Sequence, residues 1–213
     1  MLRVSNQLFG ALAFSALSIA IGRSPAIAAP EQPILFVAVG EQARPPIGWI
    51  EFCNENPQDC VATPSMPRDV VLTGKVWKDL VRINKSVNDQ IKPITDLEHW
   101  GVVEKWSYPD DGYGDCEDYV LLKRRMLIER GWPESTLLIT VVRDENNEGH
   151  AVLTARTDQG DLVLDNKRQE ILPWTMTAYT FIKQQSGRNP LVWTSLLPPN
   201  EAPQTTISAS NGN

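Results

Sequence analysis

Residues 113–125 read YGDCEDYVLLKRR, one cysteine set among three acids at a point where a helix begins. Asp115 fits the N-cap, with Cys116, Glu117 and Asp118 in the first turn. Apolar residues then recur at Tyr119, Val120, Leu122, Met126 and Leu127, until Gly131 supplies the stop and Pro133 follows, so the spacing predicts a helix between these signals. A cysteine in this position turns its sulfur toward free backbone N–H groups and the positive helix end, which favours thiolate. Asp110, Asp111, Asp115, Glu117 and Asp118 crowd it with negative charge, which opposes thiolate. A nucleophile, a metal site and a buried thiol in an acidic loop are all compatible with the stretch.

The segments on either side set the fold class. Downstream, STLLITVVRD, GHAVLTART and GDLVLDN are β-rich runs separated by the turn signals ENNEG and DQG, a pattern that predicts an antiparallel meander. A further strand is expected in MTAYTFIKQQ. Upstream, TGKVWKDLVRINKSVNDQIKP has Thr73 as N-cap and apolar positions Val76, Trp77, Leu80, Val87 and Ile91, which predicts one amphipathic helix ending before Pro93. Before it, ILFVAVG reads as a short strand and EQARPPIGWIEFC as a proline-punctuated loop. The stretch ITDLEHWGVVEKWSYPDDGYG reads as the loop that enters the cysteine helix. There are no internal repeats. The expectation is one α+β domain, with a helical first half packed on an antiparallel sheet.

Residues 1–28 read as a secretory signal peptide: Arg3 gives the positive start, Leu8 to Ile21 the apolar run, and Ala26-Ile27-Ala28 the A-x-A cleavage site. The apolar run is short for a membrane span, and Arg23 and Pro25 follow it, which weighs against an uncleaved anchor. The expected organisation is a signal at 1–28, one domain at 29–197 and a polar, disordered tail at 198–213. Cleavage removes two of the 20 basic residues and none of the 26 acids, so the processed chain is more acidic than the net −6 of the whole. Nucleic acid and anionic membrane surfaces are thereby disfavoured as partners. Export also bears on the cysteines, Cys53, Cys60 and Cys116. An odd count in an oxidising compartment predicts one pair and one free thiol. Cys53 and Cys60 close the short CNENPQDC loop, which leaves Cys116 free and favours a chemical role for it.

A thiol nucleophile needs a base, and the base an orienting partner. The chain has two histidines. His150 opens the strand GHAVLTAR directly after a turn; His99 lies in the loop LEHWG. The next strand runs out into VLDN and offers Asp165 and Asn166. A tight turn centred on Gln159-Gly160 would set Asp165 across from Thr154, roughly 13 Å along the strand from His150. Direct opposition of His150 and Asp165 therefore predicts a turn centred on Thr157-Asp158, or a bulge.

The blocks GDCEDYVLLKRRMLIERG, ITVVRD…GHAVLTARTDQGDLVLDN and ILPW resemble the bacterial transglutaminase-like cysteine proteinases, including the LapG-type periplasmic adhesin proteases. The resemblance covers roughly Leu72 to Trp193 and omits Ile34 to Cys60. It implies a papain-like, transglutaminase-like core with Cys116 as nucleophile, His150 as base and Asp165 as orienter. It also implies a calcium ion held by Asp115 and Glu117, with Asp96 in TDLEHWG matching a loop aspartate of the family as a third ligand. A hard cation suits a loop this dense in oxygens, and its charge would offset the carboxylates' repulsion of a thiolate. The alternative for these acids is complementation of the helix dipole; zinc is a poor fit to two separated histidines and one thiol. The implied activity is that of an exported calcium-dependent cysteine endopeptidase acting on a surface or periplasmic protein, such as an adhesin. Acyl transfer to an amine from the same thioester, and a non-catalytic calcium-dependent interaction domain, remain the alternatives.

Overall fold

In the computed structural model, which describes residues 35–62 and 68–198, the cysteine-bearing stretch forms helix α4 (Cys116–Glu129). The proposed signal at 1–28, and the tail apart from Pro198, lie outside the described residues. Helix α4 is buried almost all round, including Tyr119, Val120, Leu121, Lys123, Arg124 and Leu127, as a helix enclosed between other elements must be. The amphipathic helix α2 (Gly74–Gln90) packs against it, with the Thr73 hydroxyl accepting from the Val76 amide as a cap. Its buried face is Leu80, Ile83, Asn84 and Val87. Trp77, expected on that face, instead lies 39% exposed beside Val81, because it falls on the neighbouring stripe.

The seven-stranded sheet is antiparallel throughout. Strands β4 (Leu137–Arg143), β5 (Gly149–Thr157) and β6 (Gly160–Leu164) form the expected meander. It is extended on one side by β7 (Leu172–Pro173) and on the other by β8 (Thr180–Gln185), β9 (Trp193–Leu197) and β1 (Ala38–Ala43), giving the order β1-β9-β8-β4-β5-β6-β7. Alternation along the strands splits the core in two. Ala151, Leu153, Ala155 and Leu164 join the helices, whereas Val142, Val152, Val163 and Phe181 form a second cluster with Trp174 and Tyr179.

The proline-punctuated segment is not all loop. Pro46, with φ −57°, leads into helix α1 (Ile47–Glu55), which buries Trp49, Phe52 and Cys53 on one face. Cys53 is bonded to Cys60 in the following 3-10 turn, with Cα atoms 5.7 Å apart. The long loop before α4 also holds structure. Thr95 and Glu98 form a capping box that starts helix α3 (Asp96–Trp100), which Gly101 ends in the left-handed conformation.

Asp161, on β6, accepts the Val37 amide at 2.9 Å through one carboxylate oxygen, while the other is buried without a partner. Burial pushes this carboxyl up to about 6. A folded pKa above the unfolded value of about 3.9 costs nothing below about pH 4, and stability is lost as the pH rises through about 6. Asp161→Asn keeps an acceptor for Val37 and is expected to gain about 1–3 kcal/mol at pH 8, with the gain vanishing near pH 4. Thermal melting across that range checks it.

Candidate active site

The helix that carries Cys116 is aimed by what precedes it. Strand β2 (Lys92–Pro93) pairs in parallel with β3 (Tyr113–Gly114), and the Ile94 amide donates to the Gly114 carbonyl at 3.1 Å. This ladder sets the start of α3 beside the start of α4. Gly114 admits no side chain, since a Cβ there would lie 2.7 Å from the Asp118 side chain. Asp115 occupies the N-cap position but makes no side-chain cap bond. It faces Asp96 and Glu117 instead, and the ligand oxygens of these three residues lie within 4.8 Å of one another.

Of the acids crowding the cysteine, the structure therefore separates two groups. Asp110 pairs with Arg125 at 3.3 Å, Asp111 with His99 Nε2 at 2.8 Å, and Asp118 accepts the Ser107 amide at 2.8 Å. Asp115 and Glu117 instead join Asp96. Asp96 accepts the Lys105 amide. Burial, then the charge of Asp96, pushes the Asp115 carboxyl up to about 6, and burial, then the charge of Asp115, pushes Glu117 up to about 9. Asp115 Oδ1 is buried without a hydrogen-bond partner. Three closely placed carboxylates with an unsatisfied oxygen fit a hard divalent cation, which takes oxygen ligands.

Cys116 is the free cysteine and is partly buried. Its thiol donates to Glu117 Oε2 at 3.0 Å. Burial, followed by the charge and hydrogen bond of Glu117, pushes the thiol well above its ordinary value; the Ala151 backbone N–H acts in the opposite direction. That amide follows His150 directly, so β5 brings the histidine's segment to the sulfur.

His150 and Asp165 are buried together, with His150 Nε2 at 2.9 Å from Asp165 Oδ1. The route to this contact differs from the one expected. Thr157 pairs with Gly160, so the turn centres on Asp158-Gln159 rather than Thr157-Asp158, and the β5–β6 ladder contains no bulge. Gly160 fits the turn because its φ is +110° and a Cβ would strike the Leu35 carbonyl oxygen at 2.5 Å. The last ladder pair is Leu153 with Leu164, which leaves Asp165 two residues short of direct opposition to His150. The bond is diagonal, and long side chains on one face of a sheet span that offset.

The carboxylate of Asp165 is held by more than the histidine. Oδ1 also accepts the Lys167 amide at 3.0 Å, and Oδ2 accepts the Tyr179 hydroxyl at 2.6 Å. Burial works against the charged form, but the bonds from His150 and Tyr179 outweigh it and keep the carboxyl below the usual range. Tyr179 escapes sequence reasoning, since an aromatic in TAYTF reads as core. Asn166, the alternative orienter, has its Oδ1 buried without a partner. His99 is engaged with Asp111 and lies 3.9 Å from the Trp100 ring, centroid to centroid.

A cysteine at a helix start, beside the strand segment that carries a histidine bonded to an aspartate after the next strand, on an α+β core, is the plan of a transglutaminase-like thiol peptidase. The chain belongs to the bacterial transglutaminase-like cysteine proteinases, a family of cysteine peptidases whose sequence profile matches residues 39–201. The match takes in most of the segment 34–60 that the motif resemblance omits. Among solved structures, calcium-bound LapG of Legionella pneumophila is 24% identical with a TM-score of 0.50, covering 63% of this chain and 75% of that one, and shares the fold. A second LapG structure from that organism is 26% identical with a TM-score of 0.48, covering 56% of this chain and 67% of that one. No curated protein matches the chain.

Proposed function

We propose that the protein is exported to the periplasm or beyond and cleaves a cell-surface or periplasmic protein as a calcium-dependent cysteine endopeptidase. The observation that carries the reading is the buried His150–Asp165 bond, with the adjacent Ala151 amide against the Cys116 sulfur. With Nε2 engaged by Asp165, Nδ1 is the ring nitrogen left to serve the thiol. His150 takes the Cys116 proton as the sulfur attacks the scissile carbonyl, and it returns the proton to the leaving amine as the C–N bond breaks. Water then hydrolyses the thioester, with His150 again accepting a proton. Backbone N–H groups at the start of α4 are placed to stabilise the oxyanion.

Asp96, Asp115 and Glu117 would hold the calcium ion; LapG is known in a calcium-bound form, and the three carboxylates suit the same chemistry. Bound calcium supplies positive charge beside the nucleophile, which offsets the carboxylates' opposition to a thiolate. With that charge in place, Glu117 would no longer favour the protonated Cys116 thiol whose hydrogen bond it accepts.

Alkylation of calcium-loaded, non-reduced protein should label Cys116 alone, and faster than a free cysteine. Cys116→Ala should lower release of surface proteins from cells by at least about 10³-fold. A Cys116 that labels no faster than free cysteine, or a Cys116→Ala protein that still releases the same surface proteins, would sink the endopeptidase reading.

A further inference from the structure

Among the described residues, Tyr179 is the one side chain besides His150 that hydrogen-bonds the Asp165 carboxylate, and nothing in the reaction above uses it. Its hydroxyl donates to Oδ2 at 2.6 Å, on the oxygen opposite the histidine. Its ring meets the His150 imidazole edge-on, with centroids 5.6 Å apart and planes at 78°. All three side chains are buried: Tyr179 is 9% exposed, His150 4% and Asp165 3%. An ionised carboxylate can only accept, so the phenol proton is directed at Asp165.

The carboxylate, acceptor-only when ionised, receives Tyr179 on one oxygen and His150 with Lys167 on the other. A carboxylate held at one oxygen alone can turn about its terminal bond, which is broad and roughly two-fold. Held at both, it presents Oδ1 to the imidazole in one orientation. The tyrosine arrives from the segment just before β8, a strand separated from β6 in the sheet by β4 and β5. The Asp165 backbone is fixed from a third direction, since Asn88 on α2 donates to its carbonyl at 2.8 Å.

We infer that Tyr179 is a positioning residue for the reaction: it fixes the Asp165 carboxylate so that His150 keeps its Nε2–H tautomer and presents Nδ1 to Cys116. The inference rests on the triad reading above. It predicts that the hydroxyl matters separately from the ring. Tyr179→Phe keeps the edge contact on His150 and removes the bond to Oδ2, whereas Tyr179→Leu removes both.

The test needs no substrate. The chain contains two histidines, so ring-¹⁵N-histidine NMR gives two imidazoles, and His99→Gln assigns them. In calcium-loaded wild-type protein the His150 Nε2–H signal should be single and protected from solvent. In Tyr179→Phe its exchange with solvent should be about tenfold faster, and iodoacetamide should alkylate Cys116 roughly three- to tenfold more slowly. Tyr179→Leu should lose more of both. Tyr179→Met, which also removes the hydroxyl, should move both readouts at least as far as Tyr179→Phe, and it carries the test if Tyr179→Phe does not fold. Unchanged Nε2–H exchange and alkylation in Tyr179→Phe, or in Tyr179→Met where that variant stands in, would overturn the inference. His150→Ala separates this failure from a failure of the triad. If His150→Ala slows alkylation and Tyr179→Phe does not, the tyrosine inference alone falls; if His150→Ala alkylates at the wild-type rate, the triad reading falls with it.

Discussion

Asp165→Ala is expected to lower kcat/KM about 10²- to 10⁴-fold, because the base then loses the partner that fixes its tautomer and stabilises the imidazolium. The loss should fall mainly on kcat, since Asp165 is buried behind the histidine and does not face bound substrate. The substitution also orphans the Tyr179 hydroxyl and the Lys167 amide, at a stability cost of roughly 1–3 kcal/mol. Asp165→Asn separates the two effects: it retains an acceptor and the shape of the side chain but not the charge. The measurement is steady-state cleavage of a surface protein found to be released by wild type and not by Cys116→Ala. Near-normal turnover in folded Asp165→Ala would remove Asp165 from the triad and transfer the orienting role to another residue, with Asn166 the first to examine.

The second large effect concerns the acidic cluster. Saturating calcium at about 100 times its Kd should stabilise the fold by about 2.7 kcal/mol, which for a domain of this size raises Tm by roughly 5–11 °C. The gain should depend on pH. Asp115 and Glu117 are pushed up to about 6 and about 9, first by burial and then by neighbouring acids. Carboxyls with folded pKa values above their unfolded ones are harmless below about pH 4 and destabilise progressively above it. Metal-free protein should therefore lose stability as the pH rises toward about 9, and the calcium-induced shift should grow over the same interval. Asp115→Asn and Glu117→Gln should each reduce that shift while raising the Tm of metal-free protein at alkaline pH. Identical melting curves in calcium and in chelator at pH 8 would return these acids to complementing the helix dipole.

Elements bounded by strong local chemistry are legible in the chain. Helix α2 has a Thr73 cap and a repeating apolar face, α4 ends where Gly131 turns to φ +89°, and the meander is divided by ENNEG and DQG. Helix α1 was hidden because Pro45-Pro46 reads as loop punctuation, although a fixed φ just ahead of Ile47 also starts a helix. The Thr95-x-x-Glu98 capping box was a visible signal for α3, obscured by the polar loop around it. At the candidate site, scarcity did most of the selecting: one unpaired thiol and two histidines leave few combinations. The diagonal contact of His150 with Asp165 was not legible, because strand patterns give faces but not the reach of side chains across a register offset. Nor was Tyr179, whose role depends on which strand lies beside which.

The pairing of β1 with β9 fixes a chronology for the chain. Ala38 lies opposite Leu197 and Ala43 opposite Trp193, so the first strand of the sheet finds its partner in the last. Among the described residues, its other side is the edge of the sheet. The meander from β4 to β6 closes over short turns and can form as soon as it is made, whereas β1 must wait until residue 197 has followed. Closure of so long a loop precedes any reward from the contacts it brings, which makes this the slow step of assembly. A sheet whose first strand is paired only by its last is unfinished until the end of the domain has been made.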